Sequence, residues 1–349
     1  MNNRLNPYAC RSLLLMALIS STFCVTAQSL SVSARNELEQ KEDTLKVFSA
    51  KMVFGEEAAE RFRSDSFFVR TLVRALRTPH SFYYPFDSLN ISKLYAPDST
   101  FRIFTWQLKK DEYVYLQKGA IQMNTPDGSL KLFPLFDYSM YTSKPGDSVR
   151  TRNNWIGAIY YRIIGTEFNN KKYYTLLGFD DYSINSNKKW LEVLHFNAAG
   201  EPVFGGPFIS FKDDTVKRAV QARFSIEYKK EAKTFFNYDS EKDLIVFDHL
   251  VSESEEPERK ATYIPDGEFE GFKWQNGQWV HVPRLEFEFK LKDGDFPQEA
   301  NILDNQGKTN EQVLEEASRK NMNKGQPPPT SKQPPAPVKK TPPKKKTGN

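Results

Sequence analysis

Oxygen-bearing side chains recur at alternate positions in the segment Asp181-Tyr-Ser183-Ile-Asn185-Ser-Asn187, and Glu192 stands twelfth counting from Asp181. This is the ligand spacing of an EF-hand calcium loop, where hard oxygens surround the cation and a glutamate closes the cage. Asp181, Ser183, Asn185 and Glu192 are therefore the candidate calcium ligands. Against them, Ser186 stands where the sharp turn needs glycine, Lys188 where an apolar residue belongs, and the flanks read as strands. Asn and Ser also favour turns for their own reasons. A polar hairpin loop is thus the favoured reading, and no metal or cofactor is expected.

A second kind of chemistry would come from polar groups inside apolar strands. By alternation Glu192 shares a face with Trp190 and Leu194, Asp248 with Val246 and Leu250, and His249 with Phe247. Burial raises a carboxyl pKa toward the range useful for general acid work. Glu192, Asp248 and His249 are the candidate catalytic residues of a carbohydrate-active hydrolase, whose two carboxylates would flank a cleft. Structural ion pairing is the competing and favoured reading, because buried charges must be paired. The third resource is aromatic: 27 Phe, 16 Tyr and 5 Trp. Flat rings suit sugar faces, but phenylalanine dominates and sits at inward parity, so most rings belong to the core. Trp274 and Trp279 bracket a polar Asn276-Gly277 turn and are the candidate glycan-binding rings, with packing across the hairpin as the default. The sequence contains no GxGxxG, GxSxG or HExxH pattern, and its histidines at 80, 195, 249 and 281 lack metal-ligand spacing.

The elements that must position these groups follow from periodicity. Leu38, Leu45, Phe48 and Met52 recur at helical intervals with Asn36 as a cap. After Gly55 a second stripe runs through Ala58, Phe62, Val69, Leu72, Val73 and Leu76, and Glu57 and Arg61 are spaced as an i,i+4 pair. From Phe101 to Leu291 the period becomes two. Val220–Tyr228 and Leu285–Leu291 alternate apolar and polar, as strands with one wet face do. Trp155–Ile164, Tyr173–Phe179, Trp190–Phe196 and Leu244–Leu250 are apolar on both faces and must be covered on both. Turns are expected at 125–128, 168–170, 199–200 and 264–267, too closely spaced for crossover helices. The expected fold is α+β, mainly β: a helical hairpin (28–80) packed on a large antiparallel meander sheet (81–292), whether curled sheet, barrel or sandwich. A linker with a short helix (293–322) and a disordered Pro/Lys-rich tail (323–349) follow.

The stretches Phe101-Arg102-Ile103-Phe104-Thr105-Trp106-Gln107-Leu108, Phe247-Asp248-His249-Leu250 and Pro265-Asp266-Gly267-Glu268-Phe269-Glu270-Gly271-Phe272 resemble segments of uncharacterised exported proteins of Bacteroidota. The resemblance spans roughly residues 80–280. It implies export and brings no activity, ligand or site residue with it.

Export is also read from the N-terminus, where Arg4 and Arg11 precede the apolar run Leu13–Ile19 and Val25-Thr26-Ala27 offers a small-residue cut. Cleavage after Ala27 removes both cysteines, Cys10 and Cys24, and leaves no transmembrane span. A periplasmic or secreted location follows. The formal charge of +5 divides unevenly: residues 1–27 carry +2, residues 319–349 carry +9, and the stretch between them is acidic at −6. Lys339, Lys340, Lys344, Lys345 and Lys346 lie among prolines in an extended tail suited to an anionic envelope polymer or lipid surface. No aromatic residue interleaves with them, so nucleic acid is not an expected partner. The favoured function is an exported cell-envelope protein with a non-enzymatic binding or structural role, with possible glycan recognition. The hydrolase is the alternative.

Overall fold

A computed structural model describes residues 30–111 and 114–285. The expected leader (1–27), the tail with its lysines, the short helix expected within 293–322 and all but the first residue of the Leu285–Leu291 strand lie outside the described residues. Two helices come first, α1 (Val32–Phe54) and α2 (Ala58–Leu76). The cap of α1 is Ser31 rather than Asn36: its hydroxyl accepts from the Ala34 N–H at 3.1 Å and satisfies one of the donors a helix start leaves open. The helices run side by side, with the Phe48 and Phe67 rings stacked at 5.4 Å.

The buried face of α2 is turned from the expected stripe. Phe68, Leu72, Ala75 and Leu76 are buried together with Arg61, Ser64 and Asp65, and Val69 is exposed. The reason is polar. Arg61 does not pair with Glu57 but donates to the carbonyls of Gly55, Glu56 and Lys109, and Asp65 accepts from Trp106 Nε1 at 3.0 Å.

Among the described residues, fifteen strands follow in three sheets. The first is a meander of β1 (Ser92–Tyr95), β2 (Phe101–Lys109), β3 (Tyr115–Met123) and β4 (Lys131–Phe136). The second contains β5 (Arg150–Thr151), β6 (Ile159–Phe168), β7 (Lys171–Asp180), β8 (Ser186–Phe196) and β9 (Pro202–Phe204), in the order β5-β9-β8-β7-β6. The chain then lends β10 (Ile209–Ser210) to the third sheet before β11 (Arg223–Lys229) returns to pair with β8. The third sheet is completed by β12 (Phe236–Asp239), β13 (Leu244–Ser252), β14 (Tyr263–Gln275) and β15 (Gln278–Val282). All strand pairings are antiparallel except β10 with β15. The single large meander expected is thus divided into three.

Apolar clusters lie between these layers, which explains the doubly apolar runs. On β2, Phe104, Trp106 and Leu108 pack against the helices, and Phe101 and Ile103 face the second sheet. On β7 and β8, Leu176, Trp190 and Leu194 face the first sheet, and Leu177, Leu191 and Val193 face the third. A strand with core on both sides has no wet face to alternate with. The described helices and strands fall within one compact unit.

Two hairpins follow their turn residues. Asn169 and Asn170 between β6 and β7, and Asn276 and Gly277 between β14 and β15, all have positive φ, as type I′ turns require. Pro265-Asp266-Gly267 does not turn. It lies within β14, where the pairing shifts between Asp248–Phe269 and Leu250–Pro265. Gly267, at φ +91°, absorbs the extra residues as a β-bulge, a setting that also tolerates proline.

Arg102 of β2 is fully buried, without an acidic partner among the described residues. Its guanidinium donates to Gln122 Oε1 (2.8 Å), the Tyr84 carbonyl (2.5 Å), Tyr95 Oη (2.8 Å) and the Ser81 carbonyl (2.9 Å). The faces of Phe86 and Phe104 lie 5.1 and 4.7 Å from its Cζ. Burial lowers its pKa to about 10, so it stays charged at neutral pH. Arg102→Ala strips four acceptors of their donor in a closed site, and a loss of about 3 kcal/mol in urea unfolding is expected. Lys at this position rescues only in part, because it lacks the planar fork.

Candidate functional site

Glu192, shared by the calcium and hydrolase readings, is occupied. It is 2% exposed on the face of β8 toward the first sheet, and Arg223, opposite it in register on β11 and 1% exposed, donates from Nε at 3.1 Å. Tyr160 of β6 donates its hydroxyl to the other carboxylate oxygen, and Trp155 Nε1 donates to Tyr160 Oη at 2.8 Å. The remaining guanidinium donors of Arg223 reach the carbonyls of Pro145, Ser148 and Phe204. Arg223 had been placed on a wet face by alternation. That face of β11 instead meets the first-sheet side of β8, and the arginine follows its partner inward. The arrangement is a satisfied ion pair.

The other proposed calcium ligands are dispersed. Asp181 pairs with Lys230, and Ser183 closes the β7–β8 loop through Ser186, whose Oγ lies 2.8 Å from its own. Lys188 lies across from Asp180, so Glu192 is four residues farther up β8, about 13 Å at the rise of a strand. The segment is the polar hairpin, and the structure does not bring these oxygens together.

Asp248 and Glu192 belong to different sheets. Asp248 accepts from the Phe235 N–H at 2.5 Å. Burial pushes its carboxyl up to about 6, against that hydrogen bond and the charge of Lys189. Trp279 is fully buried and donates Nε1 to Thr175 Oγ1 at 2.7 Å. Trp274, half-buried, packs on it at 5.4 Å and on Tyr173 at 6.0 Å. Neither ring is a free platform.

His249 leads to a group that alternation could not assemble. Its Nδ1 lies 2.8 Å from Asp266 Oδ2 in the β14 bulge, and its Nε2 lies 3.6 Å from Glu270. Glu270 also meets Nε2 of His281 at 2.9 Å, and Nδ1 of His281 meets Asp214 at 2.8 Å. Five ionisable residues thus run in a line from Asp266 to Asp214, through a half-exposed histidine and a buried one. Asp266 is held below the usual carboxylate range, with burial opposed by the Glu268 N–H and by His249.

The structure also presents rings where the sequence did not suggest them. Phe136, Tyr138, Met140 and Tyr141 are exposed, Tyr141 by 74%, and the Tyr138 and Tyr141 rings lie 4.9 Å apart. Tyr182 and Ile184 are exposed in the β7–β8 loop. Gln117 of β3 joins these two segments: its N–H donates to Asp137 Oδ2 at 3.0 Å and its Nε2 to Asp180 Oδ1 at 2.7 Å. Tyr138 follows Asp137 directly in the chain, and Tyr182 stands two residues after Asp180. Burial, and then the charge of Asp137, pushes Asp180 up to about 7. Asp137 follows β4 in irregular chain and carries no periodic signal. Among the described residues no cluster of three or more His, Cys, Asp or Glu is arranged to hold a metal, and no helix is long and apolar enough to cross a membrane.

No protein-family model matches the chain, and no curated protein sequence matches it significantly.

Because Asp180 holds its proton more tightly when folded than unfolded, stability falls as pH rises from about 4, the unfolded carboxyl value, to about 7. Asp180→Asn keeps an acceptor for Gln117 and loses the titration. Melting temperatures measured across that window are expected to flatten in the variant, which should exceed the wild type only on the alkaline side.

Proposed function

We propose that the protein is an exported, non-catalytic binding module of the cell envelope, and that its ligand is a glycan held on the tyrosine ridge. The observation that carries this reading is the set of exposed rings at Tyr138, Tyr141 and Tyr182, in the two segments whose carboxylates, Asp137 and Asp180, Gln117 joins. Rings supply flat apolar faces for sugar stacking, and the half-buried Asp137 next to Tyr138 supplies a hydroxyl partner; Lys188 Nζ covers one face of the Tyr182 ring, 3.3 Å from its centre. Contiguous exposed apolar patches mark interaction sites, and the Tyr138 and Tyr141 rings lie 4.9 Å apart. The leader at 1–27 supports a periplasmic or secreted location. The Pro/Lys tail adds a second, sequence-indifferent attachment to anionic envelope polymer or lipid, worth on the order of 1 kcal/mol per lysine near the surface.

Tyr138→Ala and Tyr141→Ala should each weaken retention on purified envelope polysaccharide about two- to tenfold, the equivalent of about 0.5–1.5 kcal/mol per ring. Deleting 323–349 should lower retention at low salt alone. Undiminished binding by both tyrosine variants removes the ridge from the account, and undiminished binding by the truncated chain removes the tail.

One arrangement favours a hydrolase as second reading: Asp137 and Asp180 both accept from Gln117, and burial pushes Asp180 up to about 7, as suits a proton donor working beside a base. That reading requires sugar release from envelope glycan by the wild type and none by Asp180→Asn with binding retained. An inactive wild type rejects it.

A further inference from the structure

Residues 212–220 form a loop without helix or strand, in which Asp214 is the one buried residue. The base of the loop is closed by Ile209 and Gln221, which exchange two backbone hydrogen bonds of 3.1 and 2.9 Å. Its middle is held at Asp214, which takes Arg218 Nη2 at 2.5 Å on one oxygen and faces His281 Nδ1 at 2.8 Å on the other. Arg218 in turn lies over the Phe211 ring, 3.6 Å from its centre.

His281 is 4% exposed, among the rings of Phe211, Phe247 and Phe272. Both its nitrogens face carboxylate oxygens, Asp214 on Nδ1 and Glu270 on Nε2. A neutral imidazole has one N–H and one lone pair, so it donates to one of them and turns a lone pair on the other. The two contacts together describe an imidazolium. The charged and titratable groups around it are Asp214 and Arg218 from the loop, Glu270 and, beyond it, Asp266 from β14, and His249 from β13.

We propose that His281 is a proton-operated latch: as an imidazolium it clamps the 212–220 loop onto the third sheet through Asp214, and on losing its proton it releases the loop while Ile209 and Gln221 keep the base closed. Release exposes the Phe211–Phe272 end of the core between the second and third sheets. Burial alone would lower the His281 pKa, but its hydrogen bonds to Glu270 and Asp214 hold it above the ordinary value. The clamp is therefore complete below the unfolded histidine value of about 6.5 and lost as pH rises through the higher folded one. Asp214 shifts the opposite way: against burial, Arg218 and His281 keep its pKa low. Its contribution is lost only as pH falls through that lowered value.

Lys212, Lys217 and Arg218 make the loop a trypsin substrate. Cleavage there, normalised at each pH to a free peptide spanning 208–223, should rise about tenfold between about pH 6 and about pH 9, the range across which a raised histidine pKa is titrated. His281→Gln should remove that dependence. A flat normalised rate in the wild type, or an unchanged dependence in His281→Gln, overturns the latch. If the variant fails to fold, proton NMR of the wild type still decides, since only four histidines are present: titration of His281 below about 6.5 contradicts the proposal.

Discussion

The ion pair of Arg223 with Glu192 is the constraint around which the body is organised. Each side chain is almost wholly out of water, where an unpaired charge costs several kcal/mol. Only one register of β11 on β8 places the two opposite each other. The same guanidinium gathers the Pro145–Ser148 segment and β9, and the same carboxylate takes Tyr160 from β6. Apolar layers tolerate sliding better than hydrogen-bonded charges do, because burial is non-directional. Arg102 performs a similar service between the first sheet and the 81–95 segment, with carbonyls and rings in place of an acid.

This arrangement bears on chemistry. The most deeply placed carboxylate, Glu192, is engaged on both oxygens, and Asp248 is tied to the backbone of Phe235. What faces solvent is of another kind: the tyrosines at 138, 141 and 182, and His249, the half-exposed histidine of a histidine–carboxylate line on the third sheet. The first suits holding a neutral, hydroxylated ligand, and the second suits sensing protons. Neither requires the buried charges to leave their partners.

Much of this was legible from residue order, and the failures have physical causes. Doubly apolar runs such as Trp190–Phe196 announced a strand between two cores, and β7 and β8 form the middle layer. Asn-Gly and Asn-Asn announced hairpins, because positive φ is a local property. Arg223 was misplaced because alternation specifies a face but not what lies over it. Pro265-Asp266-Gly267 has the composition of a turn and serves as a bulge, since both need a glycine at positive φ, and the pairing of β13 with β14 decides between them. The line through Glu270 needs the cross-strand alignment of β13, β14 and β15, and Asp214 arrives from a loop. Their sequence separations hid them.

The account depends most on the buried pair being structural and mutually dependent, and a double-mutant cycle in urea unfolding tests this directly. Arg223→Met and Glu192→Leu should each cost about 3–5 kcal/mol, since each strands the other charge. The double variant should cost far less than the sum, with glycan retention on the tyrosine ridge unchanged. Single losses that add within about 0.5 kcal/mol, or binding that disappears while stability is kept, would contradict it.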